Sequence, residues 1–199
     1  MSHTPGTLAQ LAEAARQCQA CDLYKTATQA VLGEGPVRAR VLVVGEQPGD
    51  SEDRAGRPFV GPAGRILEQA FHDAGIVRES VYITNAVKHF KFEERGKRRI
   101  HKKPSSSEIE ACHPWLAVEM ALIRPEITIC LGATAARAVF GRPRAVLKDR
   151  GQFFDLPAAG SVTITVHPSA ILRAPDPEQR KLDYEAFVKD LKAVRKRLG

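Results

Sequence analysis

Val41-Leu42-Val43-Val44-Gly45 is a short unbroken apolar run that ends on a glycine, and Glu46-Gln47-Pro48-Gly49-Asp50 follows at once. A continuous apolar run of this length predicts a strand buried on both faces, as in a parallel sheet. Three further strands are expected downstream at Val81–Thr84, Ile127–Leu131 and Val162–Val166. Segments with helical spacing lie around them. Thr7–Gln17 repeats Leu8, Leu11 and Ala15, and Ala63–Ala74 sets Ile66, Leu67, Ala70 and Phe71 on one face before Gly75 stops it. Ser107 with Glu110 three residues on reads as a capping box opening a helix that ends before Pro125. Ala133–Phe140 predicts a small helix and Glu178–Leu198 a long amphipathic one. Strands alternating with helices predict an α/β layered fold around a mainly parallel sheet.

The chain has 199 residues, 43% of them hydrophobic and 27% charged, which is ordinary for a globular protein and enough for a real core. One domain spanning residues 1–199 is expected. No apolar run approaches the length of a membrane span. Met1–Thr7 has neither a basic nor an apolar leader segment, so export is not expected and the cytoplasm is the default address. No feature suggests an obligate partner, and a monomer is expected.

The net charge of +7 is unevenly placed. Between Lys88 and Lys103 eight basic residues face only Glu93 and Glu94, and Lys189–Gly199 carries five against Asp190, so the remainder is net acidic. Concentrated positive charge suits a polyanion such as nucleic acid.

Open parallel sheets bind ligands beyond the carboxyl ends of their strands. The residues there are Gly45–Asp50, Asn85, Gly132 and His167-Pro168-Ser169, and three of these segments carry polar groups suited to a site. The four cysteines are a Cys18-x-x-Cys21 pair near the start and the distant Cys112 and Cys130. Four thiolates can hold zinc or an iron–sulfur cluster, and the spacing does not choose between them. Cys130 lies within an apolar strand and has a core role as its alternative.

These motifs together resemble the iron–sulfur uracil-DNA glycosylases of family 4. The segments that carry the likeness are Gly45–Asp53 with Gly56–Gly64, then Ile83-Thr84-Asn85, then His167–Ser169, and the order of the cysteines. Gln47 stands where the hydrolytic members usually have alanine, and Lys97-Arg98-Arg99-Ile100-His101 lies in a basic insertion. Both features are similar to the UdgX branch, whose members become covalently joined to the sugar they expose. The resemblance implies a three-layer α/β/α sandwich and a 4Fe–4S cluster on Cys18, Cys21, Cys112 and Cys130. It also implies uracil-containing DNA as substrate, single-stranded by preference, because a base must leave the stack to be reached.

By the same resemblance Phe59 would stack under the uracil ring and Asn85 would read its N3/O4 edge, which cytosine presents reversed. His167 would donate to uracil O2, with backbone N–H groups near Gln47 assisting, and Gln47 would bind substrate. Glu46, and as a second candidate Asp50, would stabilise the sugar cation or take a proton. His101 would attack the sugar C1′, its imidazolium form disfavoured by the surrounding Arg98, Arg99, Lys102 and Lys103. Lys97, Arg98, Arg99, Lys102 and Ser169 are expected to touch DNA or support the loop, with Arg99 as its anchor. Two other readings stand beside this one: a hydrolytic glycosylase in which His101 only touches DNA, and a non-catalytic cluster protein that binds DNA through the basic segment.

Overall fold

The structure is a computed structural model that describes residues 6–199, so the leader reading at Met1–Pro5 lies outside the described residues. In chain order the elements are α1 (Leu8–Arg16), β1 (Val41–Gly45), α2 (Asp50–Ala55), α3 (Pro62–Ala74) and β2 (Val81–Asn85). Then come β3 (Phe92–Arg95), β4 (Arg98–His101), α4 (Ser106–Ile123), β5 (Ile127–Leu131), α5 (Ala133–Phe140) and α6 (Val146–Asp149). The chain closes with β6 (Phe153–Leu156), β7 (Gly160–Thr165), α7 (Pro168–Leu172) and α8 (Pro177–Leu198).

The main sheet has the order β2-β1-β5-β7-β6, with the first four strands parallel and β6 antiparallel on the edge. Every residue of β1, β2 and β5 is buried, because helices cover both faces. Alternation along each strand divides the core in two. Val41, Val43, Ile83, Ile127 and Ile129 pack with Leu67 and Phe71 of α3 and Phe187 and Leu191 of α8. Leu42, Val44, Tyr82, Cys130 and Ile164 pack with Leu116 and Met120 of α4 and Ala135 and Ala136 of α5. The result is the expected three-layer α/β/α sandwich. Among the described residues no helix is long and apolar enough to cross a membrane.

Three local expectations change. The capping box of α4 is Ser105 with Glu108, not Ser107 with Glu110: Ser105 Oγ accepts from Glu108 N at 3.2 Å, and Glu108 Oε2 accepts from Ser105 N at 2.6 Å. Both registers satisfy the motif, but only the observed one lets Glu108 also meet Lys91, at 2.9 Å. The strand expected at Val162–Val166 begins at Gly160 and ends at Thr165, and its edge partner β6 is too short for its alternation to be legible. The basic segment is no open loop. It contains the β3–β4 hairpin, turned at Gly96 (φ 60°) and registered with Phe92 opposite His101.

Candidate active site

The carboxyl ends of β1, β2, β5 and β7 surround a cavity of about 860 Å³, lined among others by Glu46, Phe59, Asn85, His101, Thr134 and His167. Gly45 sits opposite Asn85 in the β1–β2 register, at the bottom of this space. A Cβ on Gly45 would lie 2.3 Å from Asn85 Oδ1 and 2.6 Å from the Phe59 ring, so only glycine lets these two side chains meet there. Phe59 adopts φ 56°, a left-handed conformation costly for a bulky residue. Gly64 makes that turn possible: a Cβ there would lie 1.6 Å from the Phe59 carbonyl oxygen. The Phe59 ring faces the His167 ring at 5.9 Å between centroids and 33° between planes.

Asn85 is buried, and its Oδ1 has no hydrogen-bond partner among the described residues. His167 caps α7. Its Nδ1 accepts from Ser169 N at 3.2 Å and lies 2.8 Å from Ser169 Oγ. With Nδ1 engaged as acceptor, the neutral ring carries its proton on Nε2. Burial pushes the His167 pKa down to about 4, and Arg173 and His101 push the same way against the pull of Glu46. At neutral pH the ring is therefore an uncharged donor. Ser169 is engaged with His167 and lines the cavity beside it.

Glu46 Oε1 lies 3.3 Å from His101 Nε2, and Oε2 accepts from Thr134 Oγ1 at 2.5 Å. Burial alone would raise the Glu46 pKa, but the bonds from His101 and Thr134 outweigh it and hold the carboxyl below its ordinary range. Thr134 stands three residues past β5 and carries no motif of its own, so sequence reasoning passed it by. The charge that the structure sets against His101 is thus a carboxylate. Its side chain is half exposed at the cavity rim, with the ring tilted against Phe90 at 6.2 Å.

The hairpin that carries His101 is held at two places. Gln47 Nε2 donates to the carbonyls of Lys91 and Lys102, at 3.1 and 3.0 Å, and Gln47 Oε1 accepts from Lys91 N at 3.0 Å. The Gln47 side chain is therefore a clamp across the base of the hairpin, and the residue also lines the cavity in which it was expected to bind substrate. Arg99 forms the second anchor. It pairs with Asp53 at 2.6 Å and with Asp50, and its guanidinium stacks over Phe92 at 4.9 Å. Asp53 is fully buried and also accepts from Thr28 Oγ1 at 2.6 Å. Asp50 lines the cavity, and its carboxylate bonds Arg54 and Arg99.

The basic segment is less positive than its formula. Lys88 is buried against Glu119, Lys91 pairs with Glu108, Arg95 and Lys102 both pair with Glu93, and Arg99 is anchored. Lys88 therefore cannot supply a cation to phosphates as the sequence suggested. Lys97, Arg98 and Lys103 have no carboxylate partner among the described residues.

The four cysteines do not form one set. Trp115 Nε1 donates to Cys18 Sγ at 3.1 Å, joining the Cys18–Cys21 segment to α4, and Lys88 N donates to Cys112 Sγ at 3.1 Å. Burial raises the Cys112 thiol to about 11, and Cys18 and Cys21 are near enough to raise it further by their charge. Cys130 is enclosed in the apolar core on β5 and responds to burial alone. Among the described residues no group of three or more His, Cys, Asp or Glu side chains converges on a metal position. Soft thiols suit iron–sulfur or zinc chemistry, but Cys130 does not fit as a ligand, and only the other three share a region. His89, next to Lys88, is buried there with its pKa pushed down by desolvation.

The model of the uracil DNA glycosylase superfamily matches residues 32–192. The chain is 36% identical over 187 residues to the type-4 uracil-DNA glycosylase of Thermotoga maritima, covering 94% of each chain. It is 39% identical over 175 residues to the type-4 uracil-DNA glycosylase of Pyrobaculum aerophilum, covering 84% of this chain and 86% of that one. A solution structure of a putative uracil DNA glycosylase from Methanosarcina acetivorans matches with a TM-score of 0.42 and 9% identity over 82% of this chain and 98% of that one, a likeness too loose to argue from. The chain belongs to the uracil DNA glycosylase superfamily, with type-4 enzymes among its relatives.

Proposed function

We propose that this protein excises uracil from DNA, preferentially single-stranded, and then joins itself to the exposed deoxyribose through His101, as in the UdgX branch. The observation that carries this reading is the approach of His101 Nε2 to Glu46 Oε1, 3.3 Å, at the rim of a cavity that also presents Asn85, Phe59 and His167. A histidine that only touched phosphates would have no need of a carboxylate partner inside the site.

The chemistry follows from the atoms. The flipped uracil lies against Phe59, and the unpartnered Asn85 Oδ1 accepts from N3–H while the amide donates to O4. Neutral His167 donates from Nε2 to O2. As the C1′–N1 bond breaks, its electron pair moves onto the uracil, where these donors stabilise it. Positive charge develops on the sugar, and the ionised Glu46 stabilises it. Glu46 takes the proton from His101 Nε2, and the lone pair this frees attacks C1′; the ring, now alkylated on Nε2, loses its Nδ1 proton to solvent and is left a neutral imidazole. An imidazole already in place outcompetes diffusing water by proximity. Gln47 and Arg99 keep the hairpin where this attack is possible.

The protein acts as a single-domain monomer and carries a 4Fe–4S cluster on Cys18, Cys21 and Cys112, its fourth ligand not being Cys130. Such a cluster would tie the N-terminal segment to α4, remote from any step that needs redox chemistry. Lys97, Arg98 and Lys103 supply the cations that meet phosphate.

A denaturing gel with uracil-containing single-stranded DNA tests the reading. A protein–DNA band of reduced mobility is expected from the wild type. His101→Ser is expected to lose that band and still release uracil, since water then reaches the sugar cation. An undiminished band from His101→Ser refutes the capture. An alkali-labile abasic site without any band from the wild type returns the hydrolytic reading.

A further inference from the structure

Lys88 and Glu119 form an ion pair inside the protein, Nζ to Oε2 at 2.5 Å, with the two side chains 1% and 0% exposed. The proposed chemistry uses neither. Glu119 Oε1 also accepts from the Tyr82 hydroxyl at 3.0 Å, Thr84 Oγ1 at 2.9 Å and Gly33 N at 2.9 Å. Lys88 Nζ further donates to Thr84 Oγ1 at 2.8 Å and to the Asn85 carbonyl oxygen at 2.6 Å. All three ammonium protons thus have acceptors. A pair so deeply buried is a poor source of stability, because desolvation offsets most of its attraction. Its placement suggests another use.

Tyr82 and Thr84 point from β2 toward α4, where Glu119 sits, whereas Asn85 points to the opposite side, into the cavity. Among the described residues no donor holds the Asn85 Oδ1, so the amide takes its direction from the backbone. Among the bonds that fix that backbone, three lie nearest the side chain: Ala86 N to Gly45 O at 2.9 Å, Val87 N to Glu46 O at 3.0 Å, and the Lys88 ammonium to the Asn85 carbonyl. The first two tie the turn to β1, and the third ties it to α4 through Glu119. We propose that the Lys88–Glu119 pair is a positioning device that sets the angle at which the Asn85 amide meets the base edge, and so the selectivity for uracil. This rests on the reading of Asn85 as the base-reading residue.

Lys88→Met alone would strand a buried carboxylate and cost stability for that reason. The Lys88→Met/Glu119→Gln pair avoids this: both charges go, and the glutamine oxygen still accepts from Tyr82, Thr84 and Gly33. Single-turnover uracil release from a uracil-containing single-stranded oligonucleotide is measured in four proteins: wild type, the pair variant, Asn85→Ala, and all three changes together. The melting temperature is followed in parallel. The pair variant should melt near the wild type yet release uracil about 10²-fold more slowly, the scale of a roughly 1 Å misplacement. In the Asn85→Ala background the same two changes should slow release by no more than about threefold, since residues that act through one another do not add. Unchanged release in the folded pair variant would overturn the proposal, as would a full second loss in the Asn85→Ala background. A pair variant melting far below the wild type would overturn it too, because the ion pair would then be a stability element. Undiminished release by Asn85→Ala would instead sink the base-reading role, and the positioning with it.

Discussion

Thr134→Val removes the hydroxyl that donates to Glu46 Oε2 at 2.5 Å while keeping the shape of the side chain. The carboxyl is held below its ordinary range only because the bonds from His101 and Thr134 outweigh burial. A hydrogen bond to a charged group is worth about 1.5–3 kcal/mol, or about 10- to 150-fold in the balance between ionised and protonated forms. With 23% of the Glu46 side chain exposed, solvent replaces part of the lost bond, and the lower end, about tenfold, applies. The sign follows from the direction of the perturbation. A carboxyl held low stays ionised well into acid; once the donor is gone, burial is less opposed and protonation begins at higher pH. Single-turnover uracil release, measured from neutral pH downward, should therefore be nearly unchanged at neutral pH and about tenfold slower on the acid limb. Adduct formation should follow the same limb, since Glu46 is also the acceptor of the His101 proton. An acid limb that does not move in a folded Thr134→Val protein would refute Glu46 as the group whose ionisation limits the reaction. A uniform loss at every pH would show that Thr134 acts through packing instead.

Arg99→Ala removes the guanidinium from Asp50, Asp53 and the Phe92 ring, so adduct yield on the gel should fall while uracil release, which depends on the cavity floor, falls much less; equal losses of both would place Arg99 in bond breaking. Gly64→Ala drives a Cβ to 1.6 Å from the Phe59 carbonyl, and overpacking of this kind costs about 1–3 kcal/mol, read as a lower midpoint in a urea melt, with unaltered stability refuting the close approach. Iron analysis should find the metal lost from Cys112→Ser and retained by Cys130→Ser; the reverse pattern would restore Cys130 as a ligand. Neutralising Lys97, Arg98 or Lys103 should each flatten the salt dependence of single-strand binding by about 0.7. Lys102→Ala, already paired with Glu93, should flatten it less, and equal slopes would deny that pairing in solution.

Much of this protein is written in short-range pattern. The apolar run at Val41 and the β-branched runs at Val81 and Ile127 read as strands covered on both faces, and the layered sheet and the line of polar residues past its carboxyl ends follow. Phe59, Asn85, His101 and His167 all reach the one cavity. What a polar side chain does there depends on partners far along the chain, and local sequence is silent about those. Thr134 meets Glu46 across 88 residues and Glu119 meets Lys88 across 31, with nothing near either end to announce the meeting. The same holds for other partners that lie far along the chain: Gln47 reaches the hairpin, Asp50 and Arg99 close on each other, and Cys130 turns into the apolar core. Composition counted Lys88 among the cations offered to DNA. Burial beside a carboxylate removed it from that surface, because a charge can stay inside only where its partner is already waiting.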